Sequence, residues 1–110
     1  MTPFSRPIYE IKANLFRVLG HPARVRILEL LREGELSVGT LQLELGLDSG
    51  STSQHLAALR RIGMVESRKE GTVVFYCVAN PRVFDLLLAG KEIVASNLAG
   101  QQTLLDQLEE

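Results

Sequence analysis

The chain has 110 residues, of which 45% are hydrophobic and 23% charged, and its formal net charge at pH 7 is −1. This length and composition predict one soluble globular domain over residues 1–110, and no apolar run reaches the ~18 residues of a membrane span. A single cysteine, Cys77, excludes an internal disulfide and a multi-thiolate metal site within one chain.

Two helices are predicted in the first third of the chain. After Pro7, apolar residues spaced three and four apart indicate a helix that Gly20 closes. A second helix begins at Pro22, because proline suits the first helical position. It ends at Gly34, since glycine is favoured just beyond a helix end.

A short third helix is predicted within the stretch LSVGTLQLELGL. Ser37 is its candidate N-cap, Leu41 and Leu45 are expected to point inward, and Gly46 ends it. In the break that follows, Asp48 or the serine after it can cap a fourth helix.

The fourth helix, which begins near Gly50, has two faces of different character. At about 100° per residue, the residues expected on its inward side are Thr52, Leu56, Leu59 and Gly63. The outward side starts with small residues, carries hydroxyl and amide groups, and ends in a cation. Its members are Gly50, Gln54, Ala57 and Arg61, with Ser53 at the margin.

An outward face of this kind fits the major groove of DNA. Entry into that groove requires little bulk, hydrogen-bonding groups near the helix start, and positive charge for phosphates. The short preceding helix and the glycine-containing turn predict a helix-turn-helix over residues 37–63. A solvated face of an ordinary helix accounts for the same residues, because serine and threonine also favour helix starts. The stretch alone leaves both interpretations open.

After the fourth helix the hydrophobic period changes. β-Branched and aromatic residues on both sides of the turn sequence EGT predict a β-hairpin within residues 64–79. Residues 51–80 are also locally basic, with four Lys/Arg against two Asp/Glu. Arg68 and Lys69 precede the turn, where a hairpin can bring them to backbone phosphates, which position a protein on DNA without reading its sequence.

A last helix is predicted after Asn80-Pro81. Together with the first helix it carries more apolar residues than three helices and a hairpin can cover. These residues are Ile8, Ile11, Leu15, Leu87, Val94, Leu98 and Leu105. We expect a second copy of the chain to cover them in a two-fold symmetric interface.

The stretches GHPARVRIL, STSQHLAALRRIGMVESRKEG and VVFY, in this order and spacing, resemble the ArsR/SmtB family of winged helix-turn-helix repressors. The resemblance covers residues 15–79, and the helices on both flanks also fit it. It implies a mainly α fold with a small β-hairpin in the order α-α-α-α-β-β-α. It also implies a homodimer built by the helices within 1–20 and 81–110, with one recognition helix of each subunit in successive major grooves.

The resemblance further implies where DNA would be contacted. By family position, residues 49–54 lie at base edges, and the basic pair of the hairpin lies on the wing. Together with the outward face of the fourth helix, this gives an expected DNA-binding set. Its members are Ser49, Gly50, Ser51, Ser53, Gln54, His55, Arg61, Arg68 and Lys69.

Metal-sensing members of that family carry ligands that this chain lacks. Ser37 and Gly39 stand where a pair of thiolates is needed in the third helix, and the last helix has no histidine. The acidic residues of the last helix are Asp85, Glu92, Asp106, Glu109 and Glu110. Because zinc requires thiolate or imidazole ligands in tetrahedral sets, we expect neither a metal site nor a cofactor.

Three side chains carry reactive groups, but each can also be explained by a purely structural role. Cys77 fits a small buried hydrophobe on a strand, or a redox-sensing thiol. His21 fits the start of the second helix. His55 lies on the flank of the inward face and fits either a half-buried structural histidine or a DNA contact. No nucleophile, base or carboxylate pair is placed for catalysis, so we expect no enzyme.

Two functions remain for such a chain. One is a sequence-specific DNA-binding repressor that acts as a homodimer on a palindromic operator. The other is a winged-helix interaction module without DNA binding. The polar face over 49–54 and the hairpin pair Arg68-Lys69 favour the first. Because the N-terminus lacks the apolar region of a signal peptide, the cytoplasm is the expected location.

Overall fold

The computed structural model describes residues 6–108, and the chain divides into two compact units, one ending at Asn80 and the other beginning at Pro81. The second unit is a single helix, α5 (Arg82–Leu108). In the first unit a 3₁₀ turn (Leu31–Glu33) follows the second helix. The other elements of the first unit, in chain order, are α1 (Ile8–Leu19), α2 (Pro22–Leu30), β1 (Leu36–Ser37), α3 (Val38–Leu45), α4 (Ser49–Arg61), β2 (Val65–Glu70) and β3 (Val73–Val78).

The ends of α3 follow the sequence prediction. Ser37 Oγ accepts a hydrogen bond of 3.1 Å from the backbone N–H of Thr40, which satisfies one of the free donors of the first turn. At the other end Gly46 adopts φ 65°, a left-handed conformation that other residues rarely adopt. This reversal directs the chain from α3 towards α4 over three residues, so that the two helices form a helix-turn-helix.

Asp48, rather than Ser49, is the residue that caps α4. Its Oδ1 atom accepts a 2.7 Å hydrogen bond from the backbone N–H of Ser51, and the Ser51 hydroxyl donates to Oδ2 at 3.1 Å. These two bonds favour the charged form and hold the pKa of the Asp48 carboxyl below its usual range. The helix therefore begins one residue before the expected Gly50, with its first turn fixed by a single carboxylate.

The predicted hairpin is part of a three-stranded antiparallel sheet in the order β1-β3-β2. β1 is only two residues long and pairs Leu36 with Tyr76. It was not predicted, because two residues are too few to show a strand period. The hairpin register places Arg68 opposite Phe75 and Lys69 opposite Val74.

The core of the first unit lies between its helices and the base of the hairpin. On α4 the predicted inward residues Thr52, Leu56 and Leu59 are all buried. The prediction for Gly63 was wrong, because the helix ends at Arg61 and the glycine is exposed just beyond it. The buried apolar side chains of the unit are Val18, Leu19, Ile27, Leu28, Leu31, Leu41, Leu56, Ala58, Leu59 and Val65.

The second unit, α5, runs for 27 residues without a break. Gly90 and Gly100 do not interrupt it, although glycine in a helix interior costs roughly 1 kcal/mol relative to alanine. Large apolar side chains stand exposed along its length, namely Leu88, Ile93, Val94, Leu98, Leu104, Leu105 and Leu108. Even so, none of the helices between residues 6 and 108 is long and apolar enough to cross a membrane.

Candidate nucleic-acid interface

The outward face of α4 is open to solvent. Ser49, Gly50, Ser53 and Gln54 are exposed in the first two turns, and Arg61 is exposed in the last. Ala57, which was expected on the same face, is half-buried. The face therefore presents small, hydrogen-bonding side chains at the positive end of the helix dipole and a cation near the opposite end.

Two members of the expected set, Ser51 and His55, make side-chain hydrogen bonds within the protein. Ser51 is half-buried and hydrogen-bonds to Asp48 through both its backbone N–H and its hydroxyl. His55 is half-buried on the flank of α4, and its Nδ1 atom accepts a 3.3 Å hydrogen bond from Arg24 Nε. Of the two roles that the sequence left open for His55, this geometry supports the structural one.

The contacts of His55 connect three helices. Its ring lies 4.3 Å from the ring of His21, centroid to centroid. His21 starts α2 as predicted, because its Nδ1 atom accepts from the backbone N–H of Ala23 at 3.1 Å. The guanidinium that reaches His55 also donates from Nη1 to the backbone oxygen of Val18 on α1 at 3.1 Å. Burial lowers the pKa of His55, and the positive charges of His21 and Arg24 lower it further.

This lowered pKa predicts a pH-dependent stability. His55 binds a proton less readily in the folded chain than in the unfolded chain. The contribution of neutral His55 to the free energy of unfolding is therefore complete above the unfolded-state pKa of about 6.5. The contribution is then lost as the pH falls towards the folded-state pKa. We expect the melting temperature to decrease below this pH in the wild-type chain, and to decrease less in His55→Gln, in thermal melts from pH 7.5 to 5.5. Parallel curves for the two proteins would assign the pH dependence to other groups.

Arg68 does not present a free guanidinium. Its Nε and Nη2 atoms donate to the two carboxylate oxygens of Glu35 at 2.7 and 2.6 Å, and its Nη1 atom donates to Glu70 at 2.9 Å. The guanidinium also lies 4.6 Å from the centre of the Phe75 ring. The hydrogen bond from Arg68 lowers the pKa of Glu35, while the two carboxylates raise the pKa of Arg68. No sequence pattern indicates this cluster, because Glu35 is 33 residues away in the chain.

Lys69 lies on the other face of the hairpin. Successive side chains of a strand alternate between faces, and directly opposed residues share a face. Lys69 therefore shares its face with Val74, its partner on β3, and Arg68 shares the opposite face with Phe75. The lysine is exposed.

A groove of about 590 Å³ runs between the hairpin and the helix-turn-helix. Its hydroxyl groups come from four elements or turns, because Ser37, Ser53, Thr72 and Tyr76 all line it. The remaining lining residues are Val38, Gly39, Val73 and Val74. Val74 places the groove on the same hairpin face as Lys69. Thr72 and Tyr76 were not among the predicted site residues. They come together with Ser53 only in the folded chain, where the hairpin packs beside α4.

Cys77 is half-buried on β3, opposite Glu66 of β2. The expectation of a small buried hydrophobe is met only in part. Within residues 6–108 no three His, Cys, Asp or Glu side chains lie close enough together to hold a metal ion. Glu109 and Glu110 lie outside the described residues.

Comparison with known proteins identifies relatives of the chain. Residues 21–67 match the family described as bacterial regulatory protein, arsR family. The HTH-type transcriptional regulator Rv0081 of Mycobacterium tuberculosis is 42% identical over 105 residues, which cover 94% of this chain and 92% of the relative. Its crystal structure matches with a TM-score of 0.80 at 43% identity and covers 88% of this chain and 98% of that chain.

Two further relatives carry informative names. The biofilm growth-associated repressor of Xylella fastidiosa is 38% identical over 77 residues, which cover 70% of this chain and 68% of the relative. The solution structure of the homodimeric winged helix-turn-helix DNA-binding domain Mb0332 of Mycobacterium bovis matches with a TM-score of 0.75 at 28% identity. That match covers 89% of this chain and 91% of the other.

Proposed function

Since the chain belongs to the arsR family of bacterial regulatory proteins and is a winged helix-turn-helix transcriptional regulator, we propose that it is a repressor that binds a palindromic DNA operator as a homodimer. The observation that carries the proposal is the exposed outward face of α4, which presents Ser53 and Gln54 between Gly50 and Arg61. Amide and hydroxyl groups at these positions can donate to and accept from base edges in the major groove.

The proposed DNA contacts are of two kinds, contacts to base edges that recognise the sequence and contacts to backbone phosphates that position the protein. Ser49, Gly50, Ser53 and Gln54 would face base edges, because they lie exposed in the first two turns of α4. Backbone phosphates would be held by the exposed cations of the set, Arg61 and Lys69. Ser51 would act by fixing the first turn of α4 through Asp48. His55 and Arg68 would act through the neighbours that they contact.

A homodimer is supported by the apolar surface of each unit. On α1, Ile8 and Ile11 are exposed and Leu15 is half-buried. On α5, Leu87 is half-buried, and Val94, Leu98 and Leu105 are each more than half exposed. Contiguous exposed apolar residues favour a protein–protein contact at these positions. A two-fold dimer would present two copies of α4, which matches the symmetry of a palindrome.

Footprinting on the DNA upstream of the protein's own gene tests the proposal. We expect two protected half-sites whose centres lie about one helical turn, roughly 10 base pairs, or a multiple of it apart. The alternative, an interaction module without DNA binding, would give no protection and no salt-dependent retention on heparin or random DNA.

Gln54→Ala and Lys69→Ala are expected to have different effects, the first on sequence discrimination and the second on the affinity for all DNA sequences. Loss of the amide should cost roughly 1–3 kcal/mol against the preferred sequence at one base pair of each half-site and leave random DNA bound as before. Loss of the lysine should weaken binding to all sequences and reduce the slope of log affinity against log salt by about 0.9 for each phosphate that is no longer neutralised. Fluorescence anisotropy titrations over several salt concentrations measure both quantities. Identical profiles for the two variants would contradict the division proposed here.

A further inference from the structure

The Arg68 cluster joins parts of the chain that are distant in sequence. Every nitrogen of the guanidinium is engaged, since Nε and Nη2 bind Glu35 and Nη1 binds Glu70. Exposed ion pairs usually contribute little to stability, but bidentate arginine–carboxylate pairs within a network are the exception. The planar guanidinium also stacks near Phe75. A lysine cannot reproduce this combination.

The cluster lies on the hairpin face opposite the groove, next in the chain to residues that form two walls of the groove. One wall begins at Ser37, two residues after Glu35, and continues into the start of α3. The other wall is the tip of the hairpin, from Thr72 to Val74, which follows Arg68 and Glu70 along the chain. The bond between Glu35 and Arg68 therefore adds to the short β1–β3 pairing a second restraint on the hairpin relative to the helix-turn-helix, one that reaches the outer strand β2.

We propose that Arg68 is a positioning residue and not a phosphate contact. Its bidentate pairing with Glu35 fixes the hairpin, and through the hairpin it sets the position of the groove and of Lys69, which would meet the DNA backbone on the same hairpin face. The proposal rests on the DNA-binding function proposed above, and it assigns Glu35, an acidic residue, a positive role in binding DNA.

The charges of the cluster argue against the alternative. If Arg68 turned to a phosphate, it would leave Glu35 and Glu70 without their common cation. Two unpaired carboxylates would then lie beside the negative DNA backbone and repel it. A phosphate contact by Arg68 would thus offset its own gain, whereas Lys69 has no such carboxylates to release among the ion pairs of residues 6–108.

Arg68→Lys and Glu35→Gln distinguish the two roles. If Arg68 contacts phosphate, lysine should retain affinity, and removing the Glu35 charge should strengthen binding. If Arg68 positions the hairpin, both variants should weaken operator binding by about two- to tenfold, the cost of ordering one or two side chains anew. The double variant should then be no weaker than either single one, because both remove the same bond. The salt slope should stay at the wild-type value, in contrast to the matched control Lys69→Ala.

Hydrogen exchange on the free protein gives a readout that does not need DNA. We expect faster exchange of the amides of β2 and β3 in both variants, since local opening becomes easier when the bond is removed. Lys69→Ala should leave this exchange unchanged. If the wild-type protein binds no DNA, the proposed function fails, while the exchange data still test the bond. Wild-type affinity in Arg68→Lys, tighter binding in Glu35→Gln or unchanged exchange in both would overturn the proposal.

Discussion

Leu98→Glu is expected to convert the protein to a monomer and to abolish specific operator binding at the same time. Leu98 is 59% exposed on α5, and Val94 and Leu105 of the same predicted stripe are also exposed. A glutamate there would place an unpaired charge in the proposed apolar interface, and such burial is strongly unfavourable. Because linking two binding modules raises affinity by roughly 10²–10⁴-fold, operator affinity should fall by a similar factor.

Light scattering at micromolar concentration measures the mass, and anisotropy titration measures the affinity. The matched control is Ser96→Glu, which adds the same charge to α5 only two residues away. At about 100° per residue, Ser96 lies on the opposite side of the helix from the stripe that contains Leu98. This control should remain dimeric and bind the operator normally. A dimeric Leu98→Glu protein, or two variants that dissociate equally, would contradict the interface proposed for α5.

Local chemistry explains why the helix-turn-helix could be predicted from the sequence. The cap at Ser37 and the left-handed Gly46 depend on residues within one helical turn of each position. The buried side of α4 follows from helical period alone, which is why Thr52, Leu56 and Leu59 were placed correctly. The error at Gly63 has the same origin, because the period was extended beyond the last helical residue.

Contacts between distant residues could not be predicted in this way. The pair Arg68–Glu35 spans 33 residues, and the hydrogen bond from Arg24 to His55 spans 31. Each depends on how the elements pack, and a single sequence carries no signal for that packing. As a result, the charge of Arg68 led to the prediction that it contacts a phosphate. The structure instead places its guanidinium between two carboxylates.

Leu41→Ala is the second change from which we expect a large effect, and Leu43→Ala is its matched control. Both leucines lie on α3, but Leu41 is fully buried at 0% exposure, whereas Leu43 is 83% exposed. Truncation of a buried leucine removes its transfer free energy and leaves a cavity, so the free energy of unfolding should fall by about 2–5 kcal/mol. The same truncation at an exposed site should change it by less than about 0.5 kcal/mol.

Urea denaturation followed by circular dichroism, at one protomer concentration, measures both variants on equal terms. Leu41→Ala should lower stability by removing packing contacts and should leave DNA recognition unchanged, since the Leu41 side chain is buried away from the exposed face of α4. Operator affinity of the folded Leu41→Ala protein should therefore equal that of the wild type at low temperature. A comparable loss of stability in Leu43→Ala would mean that Leu43 is covered in solution. In that case α3 would take part in an interface that the exposed apolar residues of α1 and α5 do not account for.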